Sequence, residues 1–344
     1  MKKSFNVAIV GATGLVGRTM LQVLEEKYFP INNLKLLASE RSAGQNLLFR
    51  NEQIIVEELG QNSFRGIDIA LFSAGSYVSK TFVPIAVRAG CIVIDNGSYW
   101  RMKPDVPLIV PEVNPNEAFK HEGIITNPNC STIQLVVALK PLLDNYGLRR
   151  VIVSTYQSIS GAGQKGINKL ISDISSIKFC EAMENWQLSD NKNIAFPRRN
   201  SDSIAFNTAF HEPDAEKGFS VEEIKMMNET RKILNIPDMK ISVTCVRLPI
   251  LGGHGESVNV ELSKPFTLDD IREIYSKAPG IVLMDDFENG TYPTVATSES
   301  KDEVLIGRLR LDSSCENSLN LWFTADNLRK GAATNAVQIA ELFL

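Results

Sequence analysis

The 344-residue chain is 44% hydrophobic and 22% charged with a formal net charge of −4, ordinary globular values that allow two buried cores in domains of roughly 150 residues each. No stretch gathers Lys and Arg along one face, which argues against nucleic acid as a partner, and no window holds the roughly 18 uninterrupted apolar residues of a membrane span. Cys91, Cys130, Cys180, Cys245 and Cys315 are odd in number and irregularly spaced, so neither a disulfide framework nor a metal site is expected, and the compartment implied is the reducing cytoplasm.

Met1-Lys2-Lys3 imitates the start of a signal peptide, but the apolar run behind it is short and broken by glycine, so it reads as a first strand. Residues 5–10 form that strand, and 14–27 follow with helical spacing through Leu15, Met20, Val23 and Leu24. Short apolar runs at 34–38, 53–57, 67–73, 91–95 and 107–110, with a helical pattern at 79–89, predict a largely parallel, doubly wound α/β sheet. After Cys130 a helix to about 144 leads to longer, alternating strands at 149–157, 241–247, 256–262 and 304–311, which suit a mostly antiparallel α+β unit. The boundaries expected are 1–130 plus 326–344 for the first domain, its last helix at 327–343, and 131–325 for the second. Residues 175–217 have no clear period; Phe179, Trp186, Phe196 and Phe206 there are costly to expose, which favours a dimer arm over a plain surface insertion.

Gly11-Ala12-Thr13-Gly14-Leu15-Val16-Gly17 sits between the first strand and the first helix, the context that makes a glycine pattern a dinucleotide site. Gly11 permits the tight turn, Gly14 close approach of a pyrophosphate, Gly17 close helix packing, and Thr13 adds a hydroxyl. At the end of the second strand, Arg41 between Ser39 and Ser42 favours the 2′-phosphate of NADP(H), although Glu40 beside it would serve NAD.

Asn127-Pro128-Asn129-Cys130-Ser131-Thr132 places a thiol at the start of a helical run, where unpaired amides and the helix dipole favour the thiolate. The other four cysteines read as buried, inert residues. His121 falls in a charged loop and His211 in the irregular insertion, whereas His254 lies in the glycine-rich Leu251–Glu256 turn, the best place for an acid/base partner.

GATGLVG, SERSAG, DNGSYWRM with VPLIVPEVN, NPNCST, YQSISGAG, EEIKMMNETRKIL, CVRLPILGGHGES and the terminal GAATNAVQIAE together resemble the aspartate-β-semialdehyde dehydrogenase family along nearly the whole chain, with the asparagine of DNGS closer to its Gram-positive branch. The resemblance implies a Rossmann-type domain joined to a catalytic and dimerisation domain of the glyceraldehyde-3-phosphate dehydrogenase-like type. It implies NADPH-dependent reduction of L-aspartyl-4-phosphate to the semialdehyde through a cysteine thioester, in lysine, diaminopimelate, methionine and threonine biosynthesis. It makes Cys130 the nucleophile, His254 the acid/base and Gln157 the residue that orients the acyl group. Arg247 would hold the substrate carboxylate, Glu222 its ammonium, and Arg101 with Lys225 the phosphate. Ser160 and Gly161 would lie beside the nicotinamide, Ser73, Ala74 and Gly75 near the ribose, and Asn327 near the nicotinamide amide; Leu15 and Val16 join the phosphate turn. A homodimer is expected, with a homotetramer as the alternative.

Where the family turn reads GHSE, this chain has Gly253-His254-Gly255-Glu256, which is expected to loosen the base. Between 175 and 210 nothing is carried over. N-acetyl-γ-glutamyl-phosphate reductase is the nearest rival and would gain if Glu222 and Lys225 stood far from Cys130. Glyceraldehyde-3-phosphate dehydrogenase expects a second phosphate site, and an NADP-sensing regulator would carry an unreactive Cys130.

Overall fold

The computed structural model describes residues 4–176, 202–214 and 218–344; Phe179, Cys180, Trp186 and Phe196 lie outside the described residues. β1 (Phe5–Val10) is almost wholly buried because helices cover both faces of its sheet. Around it stand β2 (Ile31–Ala38), β3 (Asn46–Phe49), β4 (Glu52–Glu58), β5 (Ile69–Phe72), β6 (Ile92–Asp95) and β7 (Ile124–Thr126), in the order β3-β4-β2-β1-β5-β6-β7. All neighbours are parallel except the β3–β4 hairpin, whose turn places Arg50 and Asn51 at positive φ. Strand order reverses between β1 and β5, so the crevice beyond their carboxyl ends is where such a sheet binds ligands. α1 (Leu15–Glu26) follows β1 there and α2 (Gly75–Arg88) follows β5, starting earlier than the expected residue 79.

The run at 107–110 is not a strand: only Leu108 bridges Thr126, and prolines 107 and 111, which lack an N–H, bracket it. β7 takes that place in the sheet. α3 (Cys130–Tyr146) then leaves β7 and enters the second layer, its apolar residues Ile133, Val136, Val137 and Leu139 sharing a core with strands of the second sheet.

That sheet contains β8 (Leu148–Gln157), β9 (Ala209–Phe210), β10 (Lys240–Arg247), β11 (His254–Leu262), β12 (Ile281–Leu283), β13 (Val304–Leu311) and β14 (Ser318–Ala325), ordered β12-β13-β14-β11-β8-β10-β9. Most pairings are antiparallel, as alternation suggests, but β8–β10 and β12–β13 run parallel. α4 (Gly163–Ser175), α5 (Val221–Leu234), α6 (Leu268–Lys277) and the single turn α7 (Val295–Ser298) connect them. α5 and α6 carry Ser220 and Thr267 capping boxes.

After β14 a π-helical turn, Arg329–Ala333, leads into α8 (Thr334–Glu341). Ala336, Val337, Ile339 and Ala340 of α8 join the core of Val7, Ile9, Met20 and Leu24, so the chain end packs on the first sheet. Among the described residues no helix is long and apolar enough to cross a membrane.

The register of the second sheet aligns the chemistry-bearing residues. Gln157 at the end of β8 stands opposite both Arg247 of β10 and His254 of β11, and Arg247 stands opposite Ala209 of β9. Residues in register on adjacent strands project to the same face. Arg247, Gln157 and His254 therefore form one row at the end of the sheet, facing the start of α3.

Candidate active site

Asn129 caps α3, its Oδ1 accepting from the amides of Ser131 (3.0 Å) and Thr132 (3.3 Å). Cys130 is the first residue inside the helix, and its Sγ lies 3.3 Å from His254 Nε2. His254 Nδ1 stands between a donor, the Ser158 amide at 3.1 Å, and an acceptor, the Gly253 carbonyl at 3.1 Å. Either neutral tautomer is therefore satisfied: with Nδ1–H donating to Gly253, Nε2 accepts from the thiol, and with Nδ1 accepting from Ser158, Nε2–H donates back.

The expected low thiol pKa is not what this environment produces. Burial pushes Cys130 up to about 12, and the Glu222 charge adds to it against opposing effects of Arg247, Arg101 and the Ser131 amide. Burial likewise lowers His254 to about 4. Burial, which raises the thiol and lowers the imidazole, favours the neutral thiol and imidazole over the ion pair, against the pull of the helix terminus.

The carboxylates are clamped. Glu222, at the start of α5, takes the Asn129 side-chain amide at 2.8 Å and the Gln157 amide at 3.4 Å, with Lys225 at 3.5 Å. Burial opposes its charge, but Lys225 and these hydrogen bonds outweigh that and hold it below the usual carboxyl range. Glu229, two turns along the same helix, is almost fully buried; it pairs with Arg101 Nη1 at 3.0 Å and accepts the Asn129 backbone amide at 2.7 Å. Arg101 also donates to the Asn96 carbonyl at 2.7 Å. Glu256, on β11 with His254, is the opposite case: burial raises its pKa well above the usual carboxyl range, and its Oε1 accepts from Gln134 at 2.6 Å.

Gly255 does not loosen the base. It pairs with Tyr156 and Thr324 in mid-sheet, and a Cβ there would collide with the Trp322 ring. The missing serine side chain is replaced by tryptophan, and His254 stays fully buried and held.

A cavity of about 800 Å³ joins these residues to the first sheet, lined by Cys130, Gln157, Arg101, Glu222, Lys225 and Arg247 on one side. Gly14, Leu15, Val16, Ser73 and Gly75 line it on the other, Ser160, Gly161 and Asn327 line it beside Arg247 and His254, and His254 itself lies behind Cys130. Gly11, at φ +84°, and Gly17 sit beneath the turn: a Cβ on Gly17 would overlap the Gly11 carbonyl, and one on Gly11 the Ser73 carbonyl. No side chain caps the first turn of α1, so its amides remain free for an anion. That cradle and the 800 Å³ of space fit a dinucleotide. Asn327 Oδ1 accepts from Ser158, Ser160 and the Gly253 amide, tying the histidine loop to the turn after β8. Thr13, Ala74 and the Ser39–Arg41–Ser42 turn do not line the cavity; that turn is largely exposed beyond β2.

Glu229 was visible in the sequence only as the residue seven beyond Glu222 and four beyond Lys225, one helix face. Asn129, Ser158 and His211 carried no local signal of their place. Cys91 and Cys245 are buried, but Cys315 is exposed, contrary to expectation, because the β13–β14 turn has nothing packed over it.

Two family models match: "Semialdehyde dehydrogenase, NAD binding domain" over residues 6–121 and "Semialdehyde dehydrogenase, dimerisation domain" over residues 139–330. Aspartate-semialdehyde dehydrogenases of Aquifex aeolicus and Bacillus subtilis are 51% and 46% identical, each aligned over 99% of this chain and 98% of their own. Aspartate semialdehyde dehydrogenase II of Vibrio cholerae, solved in complex with ASA, superposes with a TM-score of 0.90 at 44% identity, covering 99% of this chain and 98% of that one.

Proposed function

The chain belongs to the aspartate-semialdehyde dehydrogenase family, and from that premise we propose how its residues carry out the NADPH-dependent conversion of L-aspartyl-4-phosphate to L-aspartate-4-semialdehyde, a step of amino-acid biosynthesis. The observation that carries the proposal is the 3.3 Å approach of Cys130 Sγ to His254 Nε2 at the base of a cavity that also presents Arg101, Glu222, Lys225 and Arg247.

Arg247 holds the substrate carboxylate with its planar fork, and Glu222, kept ionised, takes the ammonium. Lys225 and Arg101 face the phosphate. Cys130 attacks the acyl carbon while its proton passes to His254 Nε2, the C–O bond to phosphate breaks, and a thioester remains on Cys130. Gly14, Leu15 and Val16 at the start of α1 would hold the nicotinamide cofactor, which would supply the hydride that reduces the thioester carbon. The imidazolium returns its proton to the resulting oxyanion as the tetrahedral adduct forms, and collapse of that adduct frees aldehyde and thiol. Because the resting pair is neutral, deprotonation accompanies attack and does not precede it. Gln157, whose amide nitrogen already bonds Ser131 at 3.0 Å, orients the acyl oxygen.

The ionised Glu222 in the cavity wall argues against the acylated substrate of N-acetyl-γ-glutamyl-phosphate reductase, which has no ammonium to meet that charge. We also propose the division 1–130 with 326–344 and 131–325, a homodimer through the open face of the second sheet around Tyr156 and Trp322, and a cytoplasmic setting that keeps Cys130 reduced. Phosphate-dependent oxidation of aspartate semialdehyde, followed as NADPH absorbance, tests the function. Turnover at least about 100-fold above that with N-acetylglutamate semialdehyde is expected on the scale of a lost buried ionic contact; preference for the acetylated substrate would overturn it.

A further inference from the structure

β9 is an edge strand of two residues whose Ala209 stands opposite Arg247, and the chain leaves it through His211 into the wall of the cavity. His211 Nδ1 lies 3.4 Å from Arg247 Nη2. A guanidinium only donates, so Nδ1 accepts and the proton of the neutral ring is on Nε2. That Nε2 is buried and has no partner among the described residues. The charged and titratable groups around the ring are Glu222, Arg247, Lys225 and Glu223, with His254 beyond. Burial, helped by Arg247 and Lys225, outweighs the two glutamates and keeps the imidazole neutral.

A buried N–H donor without an acceptor is unfavourable, and a ligand acceptor relieves it. The ligand group expected beside Arg247 is a carboxylate. Two guanidinium bonds leave lone pairs on both of its oxygens, enough for a third donor. We propose that His211 is a substrate-binding residue whose Nε2–H donates to the carboxylate that Arg247 holds, which makes it a determinant of specificity for α-amino-acid aldehydes. This rests on the assignment of Arg247 to that carboxylate. Arg247 thus has two duties: it binds the carboxylate and fixes the His211 tautomer.

The test compares His211→Phe, His211→Gln and Arg247→Lys in the phosphate-dependent oxidation, using aspartate semialdehyde and an amino-aldehyde of the same length that lacks the carboxylate. His211→Phe is expected to raise KM for aspartate semialdehyde about tenfold, the scale of one hydrogen bond to a charged group, with kcat and the KM values for NADP and phosphate within about twofold. His211→Gln, which keeps an N–H donor, is expected to recover most of the loss. With the carboxylate-free aldehyde, wild type and His211→Phe should have the same kcat/KM, a difference that general damage to the fold would not produce. If Arg247→Lys raises KM for aspartate semialdehyde while His211→Phe does not, the proposal for His211 fails and the carboxylate assignment stands. If neither variant discriminates between the two aldehydes, both fail together.

Discussion

On the side of the first sheet the cavity is bounded largely by a backbone turn: Gly14 and the free amides at the start of α1 line it, over Gly11 and Gly17, where the backbone leaves no room for a Cβ. On the side of the second sheet it is bounded by side chains that hold one another. Arg101 is fixed by Glu229, Glu229 by the Asn129 amide, Asn129 by Glu222, and Glu222 by Gln157 and Lys225. A pyrophosphate is matched by shape and amides, whereas a reaction that moves protons needs charges set at stated distances. The two ends should therefore fail differently when altered.

The largest effect is expected at Glu229. Glu229→Ala leaves the buried Arg101 guanidinium unpaired and frees the Asn129 amide, which should destabilise the chain by about 3–5 kcal/mol in urea unfolding. Saturation by phosphate should weaken while KM for NADP stays near wild type. A change confined to NADP would break the proposed separation of the two ends.

Acid should act next, and again at the second sheet. His254 is lowered in the folded chain to about 4 from 6.5, so between these values the unfolded chain binds more protons and stability rises with pH. This contribution, up to about 3 kcal/mol, is present above pH 6.5 and lost as pH falls to about 4. His254→Gln should remove that part of the slope in unfolding measured across this range; an unchanged slope would place the acid sensitivity elsewhere.

The smallest effect is expected at the backbone end. Gly17→Ala drives a methyl into the Gly11 carbonyl, an overpacking that costs about 1–3 kcal/mol. It should raise KM for NADP, with iodoacetamide alkylation of Cys130 unaltered. A changed alkylation rate would mean that the ends are coupled through α3.

The backbone end was largely legible in the sequence, because glycine spacing, strand and helix are local properties. That α3 starts close to Cys130 was legible for the same reason, from the apolar run behind it. The charge state of the thiol was not: it depends on burial and on Glu222, 92 residues away in the chain. The turn at Gly255 misled for a similar reason, since the partner that fills its space, Trp322, comes from β14. His211 reads as part of an irregular insertion until pairing of β9 with β10 brings it to Arg247. The cofactor preference inferred at Arg41 rests on a turn that stands exposed beyond β2, outside the cavity lining.

The central claim is that Cys130, partnered by His254, forms the thioester. Mixing the enzyme with aspartate semialdehyde and NADP in the absence of phosphate should give a burst of NADPH equal to the enzyme concentration, and the peptide carrying Cys130 should gain one aspartyl group that hydroxylamine removes. Cys130→Ala should give no burst and no label. A burst that survives in Cys130→Ala, or an acyl group found on another residue, would contradict the assignment of the nucleophile.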